Sequence, residues 1–501
     1  GRRALCVPRS QLGPPGVSPG SGGAPAGASG RPFRTAAPFG NDFFRQLGLG
    51  LERMVQTLKE QLPASPGGWG SWTPPGGPPG PRPPEEADVV VVGGGIVGWS
   101  VAFWLKALEK RRHGMKVLVV ERDPTYSRSS MALSVGGIQQ QFSLPEKIHM
   151  SRYSASFLRN INVATEPPID IEFQPSGYLF LAAPEGAARL EATVQLQRNE
   201  GVRVALLSPT QLKEKFPWME TKDVALASYG LEDEGWFNPW ALLNAFRRKA
   251  MSLGVHSCTG EVQSFVTTAE EITPLHGPPR LSACIKCVHV RMPDSREYQP
   301  VTCAVVVNAA GAWAGELLEA AGVPEQMCQP PLPIQPRKRF VFSWHCPDGP
   351  GFSCPFLIDT TGAYFRRDGI AGNYLGGMSP PEEEELDSSD LSVDPKFFQE
   401  QLQPLLAGRV PAFQLLQPLR AWAGYCDYNS FDQNPVVGLH PRLDNLYVVA
   451  GFNGHGLQHA PAAGKAVAEL MVKGQYETVD LHRLSWRRLV EGEALEEAGV
   501  V

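Results

Sequence analysis

The run Val89-Val90-Val91-Val92-Gly93-Gly94-Gly95-Ile96-Val97-Gly98 governs how the rest of the chain is read. Four consecutive valines are too short a run for a helix and suit a strand buried on both faces. They enter a G-x-G-x-x-G turn at Gly93, Gly95 and Gly98. Gly93 permits the tight turn, Gly95 leaves out the Cβ that would block a pyrophosphate, and Gly98 lets the following helix lie close to the strand. That helix, entered through Ile96 and Val97 and expected over 98–109, points its unpaired N–H groups at the anion. A second apolar strand is expected over 116–120. It ends in Glu121, the place of a carboxylate that holds both hydroxyls of a ribose.

A glycine-rich turn alone is a weak signal; strand, turn, helix, strand and acid in order define a dinucleotide site. After Glu121 come Arg122, then Ser127-Arg128-Ser129-Ser130, then Gly136-Gly137. A small polar loop here, in place of an immediate return to the sheet, favours FAD over NAD. Arg122, Ser129, Ser130 and Gly136 thereby become candidate cofactor contacts.

With 501 residues, 42% of them hydrophobic and 19% charged, the chain can bury two or three packed units. A net charge of −5 without a basic stripe argues against a nucleic-acid partner. No apolar run reaches the roughly 18 residues that span a bilayer, so any membrane contact is expected to be peripheral. Nine scattered cysteines point to a reducing compartment, not to a disulfide framework. Cys284-Ile285-Lys286-Cys287 lies in a strand-like alternation that would put its two thiols on opposite faces. No second C-x-x-C follows at zinc spacing, and no metal site is expected.

Residues 1–84 are rich in proline and glycine and carry nine Lys/Arg against three acids. They read as a mostly disordered presequence and linker of mitochondrial transit type or, alternatively, as a low-complexity tail with no address. Within them, Phe44, Leu47, Leu51, Met54, Val55, Leu58 and Leu62 recur at helical spacing over 42–62. The apolar face of that amphipathic helix would lie on the protein's own body or on a membrane surface.

Beyond residue 84, strands of nucleotide-domain type bracket other sequence. A helix is expected over 146–161, and β-rich sequence surrounds Gly177-Tyr178-Leu179-Phe180-Leu181. Asn238 caps and Pro239 opens a helix to about residue 253, followed by a strand carrying Val262. Val305-Val306-Val307-Asn308-Ala309-Ala310-Gly311-Ala312-Trp313 is a further strand running into a turn. So is Leu446-Tyr447-Val448-Val449-Ala450-Gly451-Phe452-Asn453-Gly454-His455-Gly456, with a helix expected over 461–473. The acidic run 382–385 reads as a solvated loop. The expected architecture is α/β (α+β): a Rossmann-like FAD-binding domain in three parts, 85–165, 236–335 and 421–480. A mixed β-sheet substrate domain is inserted as 166–235 and 336–420, and 481–501 form a tail.

These blocks, with Arg420-Ala421-Trp422-Ala423-Gly424-Tyr425, resemble the D-amino-acid oxidase, glycine oxidase and sarcosine oxidase (DAO) family of flavoproteins over about residues 85–480. The resemblance implies a glutathione-reductase-2-like fold and hydride transfer from a carbon next to an amine nitrogen to flavin. It also implies that the ring is held between Ala310, Gly311 and Trp313 on one side and Gly451, Asn453, Gly454, His455 and Gly456 on the other. N–H groups of the second turn, at a helix start, would stabilise the negative charge that reduction places at the pyrimidine end. Leu133-Ser134-Val135-Gly136-Gly137-Ile138, Gly230-Leu231-Glu232-Asp233-Glu234-Gly235-Trp236-Phe237 and Pro336-Arg337-Lys338-Arg339 look like a mitochondrial branch of that family. This closer resemblance implies a role in assembly of respiratory complex I on the matrix side of the inner membrane, with assembly intermediates and subunits as partners.

The departures are equally specific. Sarcosine oxidases grip the substrate carboxylate with an arginine and a lysine, and the matching positions here are Gln141 and Gln458. Neutral amides forgo charge-assisted contacts worth roughly 1.5–3 kcal/mol each. Arg366 is the candidate replacement anchor, and His455, Arg366 and Tyr364 are the candidate catalytic residues. Covalent members tether the flavin through a cysteine whose place falls to Ala423, or through a histidine that 127–138 lacks, so FAD is expected to be non-covalent. Cys426 is expected on the opposite face of its strand. The lysine that supports oxygen chemistry in sarcosine oxidase is matched by Tyr374, which implies slow reaction of reduced flavin with oxygen. Two functions follow: an assembly factor in which FAD stabilises the fold, or an FAD-dependent enzyme acting on a small-molecule amine.

Overall fold

The valine run forms β1 (Glu86–Val92), whose last four residues are all buried. After it come α1 (Ile96–Leu108), β2 (Val117–Glu121) and α2 (Pro145–Arg159). The chain continues through β3 (Tyr178–Ala182), α3 (Ala187–Asn199), β4 (Val204–Leu207), β5 (Leu226–Gly230) and α4 (Pro239–Ser252). Next are β6 (His256–Thr259), β7 (Glu261–Ile272), β8 (Arg280–Arg291) and β9 (Tyr298–Asn308). A second group holds β10 (Ile334–His345), β11 (Phe356–Ile358), β12 (Tyr364–Asp368), β13 (Asn373–Gly377) and β14 (Pro418–Asn429). Last are β15 (Val436–Leu439), β16 (Leu446–Ala450) and α5 (Gly456–Lys473). This computed structural model describes residues 82–109, 114–161, 168–272, 280–293, 297–323, 328–381 and 384–497. The helix expected over 42–62 and nearly all of the presequence lie outside the described residues.

Among the described residues the strands form two large sheets. The first has the order β15-β16-β9-β1-β2-β6, with β8 bridging β9 to β7. Strand β1 lies parallel to β2 on one edge and to β9 on the other, Val89–Val92 facing Val117–Val120 and Val305–Asn308. Paired on both edges and covered on both faces, such a strand has no polar side, which is why it reads as uninterrupted valine. Val89 and Val91 pack with α1, α4 and α5, while Val90 and Val92 pack into a separate core with β8 and β16.

The second sheet has the order β14-β10-β13-β12-β11-β3-β5-β4. Its core of Phe340, Phe342, Trp344, Phe365, Tyr374 and Phe413 is independent of the first sheet's. Strands β10 and β14 pair from Ile334 opposite Asn429 to Trp344 opposite Pro418. All of β14 therefore belongs to the second sheet, and the boundary expected between 420 and 421 cuts through a strand; this sheet runs to Asn429.

Two other expectations change. Helix α5 begins at Gly456, five residues before the expected start, with Pro461 in its interior. The proline forgoes one bond to Leu457 C=O, and packing against α1 offsets that cost. Ser100 Oγ donates to Ala460 O at 2.7 Å, Trp104 Nε1 donates to Pro461 O at 3.0 Å, and a Cβ on Gly464 would stand 2.3 Å from Ser100 Oγ. In β8 a bulge between Ile285 and Cys287 breaks the alternation. Ala283, Ile285, Val288 and Val290 face the core, and Cys284 and Cys287 are both left half-buried instead of one in and one out. Among the described residues no three His, Cys, Asp or Glu side chains are grouped to hold a metal.

Candidate functional site

A cavity of about 1240 Å³ opens where the carboxyl ends of the parallel strands meet the second sheet. The glycine turn forms one end. Gly93 takes φ +101°, and a Cβ there would meet Ala309 O at 2.4 Å; a Cβ on Gly98 would meet Gly93 O at 1.9 Å. Gly95 has nothing within 4 Å of an added Cβ, so open space lies beside the first turn of α1, whose N-cap has no side-chain hydrogen bond. Glu121 Oε2 accepts Gly94 N–H at 2.8 Å and Oε1 accepts Asp123 N–H at 2.8 Å. Burial pushes its carboxyl above the ordinary range, and those two N–H groups oppose the rise.

Gly93, Gly95, Ile96, Val97, Glu121, Arg122, Ser129, Ser130, Val262, Ala310, Gly311, Trp313, Asn453, Gly454, His455, Gly456 and Tyr364 all line this one cavity. The Arg122 guanidinium lies 3.9 Å over the Trp313 ring, and Arg128 bridges Trp313 and Tyr425, donating to the Tyr425 hydroxyl at 3.1 Å. Gly98, Gly136 and Gly451 do not line it; they shape the backbone around it. Gly136 takes φ +79° with Phe237 O 2.2 Å from an added Cβ, and Gly451 takes φ +83° against Ile334.

The turn after β16 is held from outside the nucleotide domain. Asp427 Oδ2, on β14, accepts the backbone N–H groups of Gly451 at 3.0 Å and Phe452 at 2.9 Å, and Asp427 O accepts that of Asn453 at 3.2 Å. The N-terminus of α5 follows immediately, uncapped by any side chain, with Gly456, Leu457 and Gln458 on the cavity wall. It supplies N–H donors and a positive dipole end to whatever lies there.

His455 is half-buried, and its ring meets Phe142 edge-on at 5.1 Å. Burial, aided by the charge of Lys147, pushes its pKa down to about 3, so it is neutral at pH 7. His455 Nδ1 and Gln458 Nε2 have no hydrogen-bond partner among the described residues. Gln458 Oε1 accepts Gln139 N–H at 2.8 Å. Gln141 is absent from the wall: its amide donates to Glu234 Oε2 at 2.8 Å and Tyr178 O at 3.0 Å, and it accepts from Ser228 Oγ.

Several expected roles fail on geometry. Arg366 does not line the cavity; its guanidinium donates to Val135 O at 2.7 Å, pairs with Asp368 at 2.9 Å and lies 4.0 Å over Trp236. Tyr374 is buried in the second sheet's core, its hydroxyl donating to Pro350 O, and it does not line the cavity. Ala423 faces that same core, whereas Gly424, Tyr425 and Cys426 line the cavity. Cys426 thus faces the cofactor side, its Sγ 3.6 Å from Asn453 Oδ1, and burial pushes its thiol up to about 12. Glu385 is no solvated loop residue: it pairs with Arg337 at 2.9 Å and with Arg339, both on the cavity wall. Glu382 and Glu383 lie outside the described residues. The inner wall also carries a cation that no motif announced, Lys147, 3% exposed.

The residues present fit FAD: open space at an uncapped helix start, a half-buried acid at the end of the strand Val117–Glu121, and unpartnered polar nitrogens at a second helix start. FAD, when bound, supplies a hydride acceptor for oxidation of a C–N bond. Gly95 and Glu121 would hold its phosphates and ribose, the Trp313–Tyr425 pair would line the cavity beside it, and N–H groups at 455–458 would face developing negative charge.

An α/β flavoprotein of this construction belongs to a known class, and the chain is a member of the DAO family of FAD dependent oxidoreductases, matched over residues 88–470. Its cofactor is FAD. The chain is 54% identical over 469 residues to FAD-dependent oxidoreductase domain-containing protein 1 of Xenopus laevis, covering 92% of this chain and 93% of that one. It is 40% identical to the Drosophila melanogaster homolog of that protein, covering 81% and 79%. Among solved structures, L-proline dehydrogenase from P. horikoshii is 27% identical with a TM-score of 0.67, over 82% of this chain and 100% of that chain.

Proposed function

We propose that this protein is an FAD-holding, oxidoreductase-like factor of the mitochondrial inner membrane, matrix side, that serves the assembly of respiratory complex I. Its partners on this reading are assembly intermediates and subunits of that complex. The observation that carries it is the state of the two positions that grip a substrate carboxylate in sarcosine oxidases. Gln141 is locked into the Glu234–Ser228–Tyr178 network and Gln458 is neutral. A cofactor site kept in full beside a substrate grip that has been replaced supports FAD as a structural element of an interaction protein. The resemblance of 133–138, 230–237 and 336–339 to the mitochondrial branch supports the cellular setting. Among the described residues no helix is long and apolar enough to cross a membrane. On this reading the membrane contact is peripheral, made through the amphipathic sequence of 42–62. Cells lacking the protein should show depleted complex I on native gels, restored by the wild-type chain; undiminished complex I would overturn the reading. Alkaline carbonate should strip the protein from membranes, and retention in the pellet would overturn peripheral attachment.

A second reading, an FAD-dependent dehydrogenase acting on a small amine, is favoured by Lys147 in the cavity wall and by kinship to an enzyme named for L-proline, a secondary amine bearing a carboxylate. Anaerobic bleaching of the flavin by one of a panel of amines tests it.

A further inference from the structure

The ammonium of Lys147 cannot be buried without an anion, and the anion comes from the chain's own far end. Glu497 Oε2 lies 3.0 Å from Lys147 Nζ, with the two side chains 11% and 4% exposed. The other carboxylate oxygen accepts Ser143 Oγ–H at 2.8 Å and the Ser143 backbone N–H. Ser143 and Lys147 flank the start of α2, whose N-cap Leu144 offers no side-chain hydrogen bond, so the carboxylate also lies at the positive end of a helix dipole. This cradle adjoins the cavity wall at His455: Lys147 Nζ is 4.8 Å from the Phe142 ring, and Phe142 meets His455. Gln458, 2% exposed with Nε2 unpartnered, lines the same cavity.

Glu497 is held there by a strap. Leu495 N–H donates to Asp432 Oδ2 at 3.2 Å, Asn434 Nδ2 donates to Leu495 O at 2.6 Å, and 494–497 cover the cavity wall. We propose that Lys147 and Ser143 form a binding site for a small monocarboxylate, and that Glu497 is an internal carboxylate occupying it, so that ligand must displace the 493–497 strap. The strap forms part of the cavity wall, and a ligand that replaces one carboxylate by another displaces it without leaving the lysine bare. This rests on the cavity holding FAD and on the small-molecule reading, though not on turnover.

The test uses the FAD-bound protein, with the flavin absorption spectrum as reporter and benzoate as probe, benzamide being the uncharged control. Glu497→Gln should tighten benzoate binding at least tenfold over wild type and leave benzamide unchanged. Lys147→Gln combined with Glu497→Gln, a neutral pair, should abolish that gain. Equal benzoate affinity in wild type and Glu497→Gln, or a gain that survives Lys147→Gln, would overturn the proposal. Should Glu497→Gln fail to fold, hydrogen exchange on the wild type decides: benzoate should accelerate exchange at 493–497, and unchanged exchange there would overturn it. Colourless protein would sink the flavin reading instead, which separates the two failures.

Discussion

The carboxylate of Asp427 accepts the backbone N–H of Gly451 at 3.0 Å, so a strand of the second sheet anchors the glycine turn of the first. Removing that acceptor leaves two buried N–H groups without a partner, which costs about 1–3 kcal/mol each. Asp427→Ala should lower Tm and reduce bound FAD per chain, while Asp427→Asn, which keeps one acceptor oxygen, should fall between. Full FAD occupancy in Asp427→Ala, read by absorbance at 450 nm, would remove the turn from the cofactor's support.

The last two glycines of the motif should fail differently. Gly95 has open space around its missing Cβ, so Gly95→Asp should fold and yet purify colourless, its carboxylate repelling the pyrophosphate. Gly98→Val presses side-chain atoms against Gly93 O and should lose the fold itself, seen as insoluble protein. Yellow Gly95→Asp would contradict the phosphate site.

Acid precipitation should release the flavin into the supernatant. Cys426 lines the cavity, but burial keeps its thiol protonated at neutral pH, and a protonated thiol is a poor nucleophile. Cys426→Ser should release flavin just as the wild type does. Flavin left in the wild-type pellet, and freed by that substitution, would show a tether.

Glu234 is 1% exposed, and burial raises its pKa from 4.5 to about 8. The native state therefore holds a proton between pH 4.5 and 8 that the unfolded chain gives up. Stability should fall as pH rises through that window, by at most about 5 kcal/mol, and the contribution should be flat above pH 8. Glu234→Gln, which keeps the contacts without the titration, should flatten this part of a Tm-against-pH curve; an unchanged slope would place the titration elsewhere.

The parts of this fold that show in the sequence are those made by neighbours along the chain. Val89 to Gly98 writes strand, turn and helix start in ten letters, and Asn238-Pro239 writes a cap that the structure keeps, its side chain accepting from Trp240 and Ala241 N–H. Contacts closed over long loops leave no such mark. Asp427 supports Gly451, Glu497 meets Lys147, and nothing local to any of the four residues announces the pairing. Arg366 failed as an anchor for the same reason: its partners Val135 and Trp236 lie far off in sequence. Ala423 and Cys426 were correctly set on opposite faces by strand alternation, but which face met the cavity depended on the second sheet.

The interleaving of β1 with β9 and β16 also has a temporal side. Strand β1 is made early, yet its second edge is covered only when residues up to 308 exist, and the turn that completes the cradle waits for residue 456. The emerging chain therefore carries a bare valine edge until residue 308 is made, the kind of surface that aggregates. A chain that stops before residue 456 would, by the same logic, lack part of the wall of the cavity proposed for the flavin.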